Sequence, residues 1–144
     1  KCGAVKNTLY AHLAVAAAEA GLSVLALDID PQGSLSAWGA LRAARSPELE
    51  VTVEAVAGHR VRSLAERAAE RYDLIVIDAP PHAETETRQA LRAADLVLAP
   101  IQPSPLDLWA SRSVVDAVAD AGGRIAFVLN KAPPRARLIE EVAA

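Results

Sequence analysis

Tyr72-Asp73-Leu74-Ile75-Val76-Ile77-Asp78-Ala79-Pro80-Pro81 decides how the rest of the chain is read. Four apolar residues, three of them β-branched, run without a break into an aspartate, and two prolines then stop the segment. Such a run reads as a strand buried on both faces of a parallel sheet, because a strand with one wet face would alternate. Other segments have the same form. Val24-Leu25-Ala26-Leu27 runs into Asp28-Ile29-Asp30, Leu96-Val97-Leu98-Ala99 into Pro100, and Ile125-Ala126-Phe127-Val128-Leu129 into Asn130. Leu49-Glu50-Val51-Thr52-Val53 reads as a short edge strand.

Helical stretches lie between the strands. Thr8 to Ala20 is rich in alanine and leucine and stops at Gly21, a natural helix end. Val61 to Arg71 and Glu84 to Ala94 set apolar positions among Arg and Glu at helical spacing. Leu106 to Ala121 precedes Gly122-Gly123. Ser104-Pro105-Leu106-Asp107 predicts a helix start, with a serine cap, proline in the first turn and Asp107 at the positive end of the dipole. The alternation predicts an α/β fold, a doubly wound and mostly parallel sheet with right-handed crossovers. With no internal repeat and no long linker, residues 1–144 are read as a single domain.

Composition agrees and excludes several classes. The chain has 144 residues, 52% of them hydrophobic and 3% aromatic, with a formal net charge of −3. That is too apolar and too weakly charged for a disordered chain. One cysteine makes no disulfide scaffold, and no apolar run approaches the ~20 residues of a membrane span. No cationic, apolar leader is read, so a reducing cytoplasm is expected. The absence of methionine marks a processed chain or an interior piece. The negative charge argues against strong nucleic-acid binding by this segment alone. Arg42, Arg45, Arg60, Arg62, Arg67 and Arg71, interleaved with Glu, read as a solvated face. His12, His59 and His82 lack metal-ligand spacing. Trp109 reads as core or interface, and Trp38 as a brace for the segment after Asp30.

In an open parallel sheet, ligands bind outside the carboxyl ends of the strands. Asp28, Asp30 and Asp78 stand at two such ends. A carboxylate at position 78 can hold Mg²⁺ beside a phosphate, or simply cap the next segment. Asp28 and Asp30 leave the same face if the strand persists that far, and they repel unless a cation or donors lie between them. Pro31 and Gly33 then turn the chain.

Lys1-Cys2-Gly3-Ala4-Val5-Lys6-Asn7-Thr8 leads into the first helix. A phosphate loop needs glycines that let backbone N–H groups reach oxygen, a lysine for charge, and a hydroxyl for Mg²⁺ at the helix start. Lys6 and Thr8 stand where those groups belong. Gly3 is the segment's single glycine, so its composition alone does not identify such a loop.

Together these segments resemble the ParA/MinD family of deviant Walker-motif ATPases, and most closely its small plasmid-partition ParA (ParF-like) members. Residues 1–8 fall on the family's K-G-G-x-G-K-T-T loop, Asp28-Ile29-Asp30-Pro31-Gln32 on its D-x-D-P-Q segment, and residues 72–81 on its Walker B strand. Residues 94–109, Ala-Asp-Leu-Val-Leu-Ala-Pro-Ile-Gln-Pro-Ser-Pro-Leu-Asp-Leu-Trp, are similar to a segment of the small partition proteins, and Phe127-Val128-Leu129-Asn130-Lys131 to the late strand. The resemblance implies a P-loop NTPase fold, here lacking its first strand and its C-terminal strands. It also implies ATP and Mg²⁺ as ligands.

By the same resemblance Lys6 is the lysine on the β- and γ-phosphates, and Lys1 the signature lysine that crosses a homodimer interface to the partner's nucleotide. Asp30 is the residue that orients the attacking water. Asn7, Asp28 and Asp78 form the metal side; Gly3, Thr8 and Asn130 complete the nucleotide contacts. A ParB-like partner, non-specific DNA bound by the intact ATP-loaded dimer, nucleoid association and no stable membrane association are implied as well. Cys2 and Val5 replace family glycines, and Asn7 replaces the threonine whose hydroxyl binds Mg²⁺. A valine held at positive φ is an outlier, with strain of about 1–3 kcal/mol. Weakened or absent hydrolysis is therefore expected, and the alternative is a degenerate nucleotide sensor or protein-interaction module. A thiol at Cys2, at a helix N-terminus, can become acidic, but no base or resolving cysteine stands nearby in sequence.

Overall fold

The structure, a computed structural model, describes residues 3–46, 48, 50–80 and 84–131. It divides into two compact units after Ala93. The first contains α1 (Gly3–Glu19), β1 (Val24–Asp28), α2 (Ser34–Arg45), β2 (Val51–Ala55), a 3₁₀ turn (Gly58–Arg60), α3 (Val61–Ala68), β3 (Leu74–Asp78) and α4 (Glu84–Ala93). Its parallel sheet has the order β2-β1-β3. The second unit contains β4 (Val97–Ile101), α5 (Pro105–Asp120) and β5 (Ile125–Leu129), with β4 and β5 paired in parallel.

The continuous apolar run of β1 becomes a central strand buried at every position. Because side chains alternate across a strand, it feeds two cores. Leu25, Leu27 and Ile29 pack with Val61, Ala65, Ala68 and Ala90 of α3 and α4. Val24 packs on the opposite face with Ala14, Ala17 and Trp38 of α1 and α2. Burying a leucine of this kind contributes about 1.5–3 kcal/mol, so β1 anchors the first unit. Helices on both faces and parallel strands make this the α/β arrangement that the sequence predicts.

Four details depart from the sequence reading. The edge strand β2 runs Val51–Ala55, two residues past the expected end at Val53, while Leu49 lies outside the described residues. Helix α2 was not predicted, because Gly39 and two serines weaken its helical signal. The structure needs that glycine: a Cβ at Gly39 would stand 2.5 Å from Val53 Cγ2, so its absence lets α2 lie against β2. The side chain of Ser104 makes no capping bond; Asp107 Oδ2 instead accepts from the Gln102 N–H at 2.9 Å. Most consequential for the site, α1 begins at Gly3 rather than Thr8. Lys131 is the only non-glycine residue at positive φ among those described, so the strain expected at Val5 does not arise. With valine in place of a family glycine at position 5, the segment from Gly3 has little to interrupt a helix.

Among the described residues no helix is long and apolar enough to cross a membrane. In the second unit Leu106 and Trp109 are largely exposed, so Trp109 is not a core residue.

Candidate functional site

The carboxyl ends of β1 and β3 carry the site. Their parallel register pairs Asp28 with Asp78, which brings two buried acids side by side on the sheet face that packs α1 and α2. Adjacent strands lie about 4.8 Å apart, so these carboxylates share one electrostatic environment. The Ile29 N–H donates to the Asp78 carbonyl at 3.0 Å, and the Val56 N–H to the Asp28 carbonyl at 2.9 Å. These bonds extend the sheet past both aspartates.

Lys6, in the first turns of α1, reaches this end. Its Nζ stands 2.8 Å from Asp78 Oδ1 and also donates to the Ala79 carbonyl. The pair is deeply set, with side-chain exposures of 16% for Lys6 and 1% for Asp78. Burial pushes the Asp78 carboxyl above its ordinary value; the Lys6 ammonium opposes this, and the charges of Asp28 and Asp30 add to the rise. Tyr10, one helical turn after Lys6, has its phenol pushed up by burial and then by the Asp78 charge.

Asp28 is differently satisfied. Its Oδ2 accepts from both the N–H and the Oγ–H of Ser36, each at 2.8 Å, and its Oδ1 accepts from the Asp30 N–H at 3.2 Å. It therefore caps the first turn of α2 from a distance, supplying an acceptor for an otherwise orphaned amide. Asp30 is half-buried, and its Oδ1 accepts from the Gln32 N–H at 3.0 Å in the following turn. Gly33, left-handed at φ 63°, closes that turn with a 2.9 Å bond to the Asp30 carbonyl.

The structure thus brings Lys6, Asp28, Asp30 and Asp78 to one sheet end. Gly3, Asn7 and Thr8 lie on helix α1, with Thr8 exposed. Lys1, Cys2, Pro81 and His82 lie outside the described residues. Asn130 belongs to the second unit, where it is a turn residue: its Oδ1 accepts from the Lys131 N–H at 2.7 Å. Sequence reasoning missed Ser36 and Tyr10. Tyr10 sits four residues after Lys6 and shares its face of α1, but with a helix expected only from Thr8 that spacing carried no signal. Ser36 became meaningful only with α2 in place.

Among the described residues no three His, Cys, Asp or Glu side chains converge as a ready metal set. Mg²⁺ commonly takes only one or two carboxylates and fills its shell with water and phosphate oxygens. Asp78, buried among like charges, has the chemistry such an ion relieves, and the donor set fits it.

A profile of the CobQ/CobB/MinD/ParA nucleotide binding domain matches residues 1–144. The chain is 31% identical over 147 aligned residues to "Maintenance of carboxysome distribution protein A" of Halothiobacillus neapolitanus, covering 96% of this chain and 66% of that protein. It is 30% identical to "Chromosome-partitioning ATPase Soj" of Thermus thermophilus, covering 71% and 51% respectively. The chain thus spans about two thirds of the first relative's length and half of the second's. In fold it is similar to cobyrinic acid a,c-diamide synthase of Mycobacterium smegmatis with bound ADP and magnesium, at a TM-score of 0.80 and 20% identity, over 99% of this chain and 77% of that one.

Proposed function

The chain belongs to the CobQ/CobB/MinD/ParA nucleotide-binding family, and from that premise we propose that it is a ParA-type ATPase module that couples ATP and Mg²⁺ to the positioning of a plasmid or chromosome. The observation that carries this reading is the delivery of Lys6 onto Asp78 at the carboxyl end of the parallel sheet, beside Asp28. An ammonium already held among carboxylates is well placed to exchange them for phosphate oxygens. Mg²⁺, when bound, neutralises phosphate charge and polarises the transferred group. Asp78, the amide oxygen of Asn7 and Asp28 are the groups that would hold it. Asp30, half-exposed, holds and orients water. In this proposal Lys1 serves a nucleotide-dependent homodimer, whose cycle switches association with non-specific DNA and a ParB-like partner in the cytoplasm and on the nucleoid. The names of the carboxysome-distribution and Soj relatives support a positioning role.

A second reading, a nucleotide sensor that does not hydrolyse, is favoured by one observation. In a helix that begins at Gly3, the N–H groups of Asn7 and Thr8 point back toward the preceding turn rather than outward to phosphate. Steady-state ATP hydrolysis with Mg²⁺ separates the readings, comparing the chain, Lys6→Ala, and a loop-restored Cys2→Gly/Val5→Gly/Asn7→Thr variant. The ATPase reading expects turnover that Lys6→Ala abolishes and the restored loop raises about tenfold or more. ATP binding without turnover in the unaltered chain supports the sensor.

A further inference from the structure

The 28–36 segment joins the end of β1 to the start of α2, and a single buried carboxylate ties its two ends together. Asp28 is 2% exposed. Its Oδ1 holds the Asp30 N–H, and its Oδ2 holds the N–H and Oγ–H of Ser36. Between these ties the chain turns through Pro31, Gln32 and Gly33 by two local bonds: Gln32 N–H to Asp30 Oδ1, and Gly33 N–H to the Asp30 carbonyl. Behind the turn, Leu35 is 1% exposed and anchors α2, and Trp38 packs α2 onto the sheet. Asp30 is therefore the half-exposed acid on a loop whose backbone is fixed at both ends by Asp28. It stands near enough to Asp78 for its charge to be felt there.

We propose that Ser36 is a positioning residue for Asp30: by closing the clamp on Asp28, its hydroxyl fixes the turn that presents the Asp30 carboxylate to the reacting centre. This rests on the ATPase reading above. It also separates the acids by role. Asp28 is occupied by three donors and sets geometry, whereas Asp30 is left to act. An acid that orients water in a transition state loses rate when misplaced by a fraction of an ångström, with little change in ground-state binding.

The test compares the chain with Ser36→Ala and Ser36→Thr, the latter retaining the hydroxyl. Three quantities are read: amide hydrogen exchange at Asp30 and Gly33, affinity for a fluorescent ATP analogue with Mg²⁺, and kcat and KM for ATP. Ser36→Ala is expected to speed exchange at Asp30 and Gly33 about tenfold and lower kcat by about tenfold, with KM and analogue affinity within about twofold. Ser36→Thr is expected to restore exchange and kcat to within about threefold of the unaltered chain. Unchanged exchange and kcat in Ser36→Ala overturn the proposal. So does equal loss in both variants, or a loss carried by KM. If exchange responds as expected but the unaltered chain neither binds nor hydrolyses ATP, the clamp stands as a structural element. The ATPase reading then falls, and with it the role for Asp30.

Discussion

Strand β3 is bracketed by two aspartates, Asp73 just before it and Asp78 at its end, and their environments are opposite. Asp73 is fully exposed at the amino end, where its Oδ2 accepts from the N–H of Ser23 at 2.9 Å and its Oγ–H at 2.6 Å. The Asp73 N–H donates back to Ser23 Oγ at 3.0 Å. Those hydrogen bonds hold the Asp73 carboxyl below its ordinary value of 3.8, whereas burial holds Asp78 above the same value. The first is a latch that registers β3 beside β1, and water screens it. The second is a charge taken out of water, kept in place by Lys6 and pressed by two neighbouring acids. Residue type alone does not distinguish structural from chemical carboxylates here. What stands around each one does.

Removing the partner at the buried end is the strongest way to break this contrast. Lys6→Ala leaves Asp78 buried without its cation, and urea unfolding at pH 7 is expected to show a loss of about 3 kcal/mol. The loss is expected to shrink as pH falls and Asp78 takes up a proton. A loss at pH 7 no larger than that of an exposed Lys→Ala change would show that the pair carries little.

The pH dependence of stability sharpens the contrast, because the two groups contribute with opposite sign. Folded Asp73 binds its proton less tightly than the unfolded chain does. Its contribution is present above pH 3.8 and is lost as pH falls through its lower folded value. Folded Asp78 binds its proton more tightly. Its contribution is present below pH 3.8 and is lost as pH rises through its higher folded value. Asp73→Asn is therefore expected to flatten the acid-side fall in stability, and Asp78→Asn to remove a decline on the side above 3.8. Urea midpoints measured across the acid range check both signs, and identical profiles for the two variants would refute the assignment.

The smallest effect is expected at the exposed end. Ser23→Ala removes the hydroxyl that both donates to and accepts from Asp73, yet leaves the backbone N–H bond. Its urea midpoint at pH 7 should move less than that of Lys6→Ala, and its ATP affinity should not move.

Much of the fold was legible because β1, β3 and β5 are short apolar runs bounded by turn residues, which read as parallel strands. Burial at every position holds for β1 alone of the three, since β5 is half-buried with Phe127 exposed. The acids that end β1 and β3 were legible for the same reason. Helix α2 was not, because its stability is tertiary: Leu35 and Trp38 bury it, Asp28 caps it from another element, and Gly39 is a packing requirement that reads as a helix breaker. Ser36 went unread with it. The extent of α1 was misread for the opposite reason. Resemblance to a glycine-rich loop suggested open backbone, where Ala4-Val5-Lys6-Asn7 has only ordinary helical alternatives.

The most direct measurement of the central claim is equilibrium ATP binding, with and without Mg²⁺, to the chain and to Lys6→Ala. If Lys6 exchanges Asp78 for phosphate, the unaltered chain binds ATP more tightly with Mg²⁺ than without, and Lys6→Ala loses at least about tenfold in affinity in both conditions. Equal affinity of the two proteins, or no binding by the unaltered chain in either condition, would contradict the account.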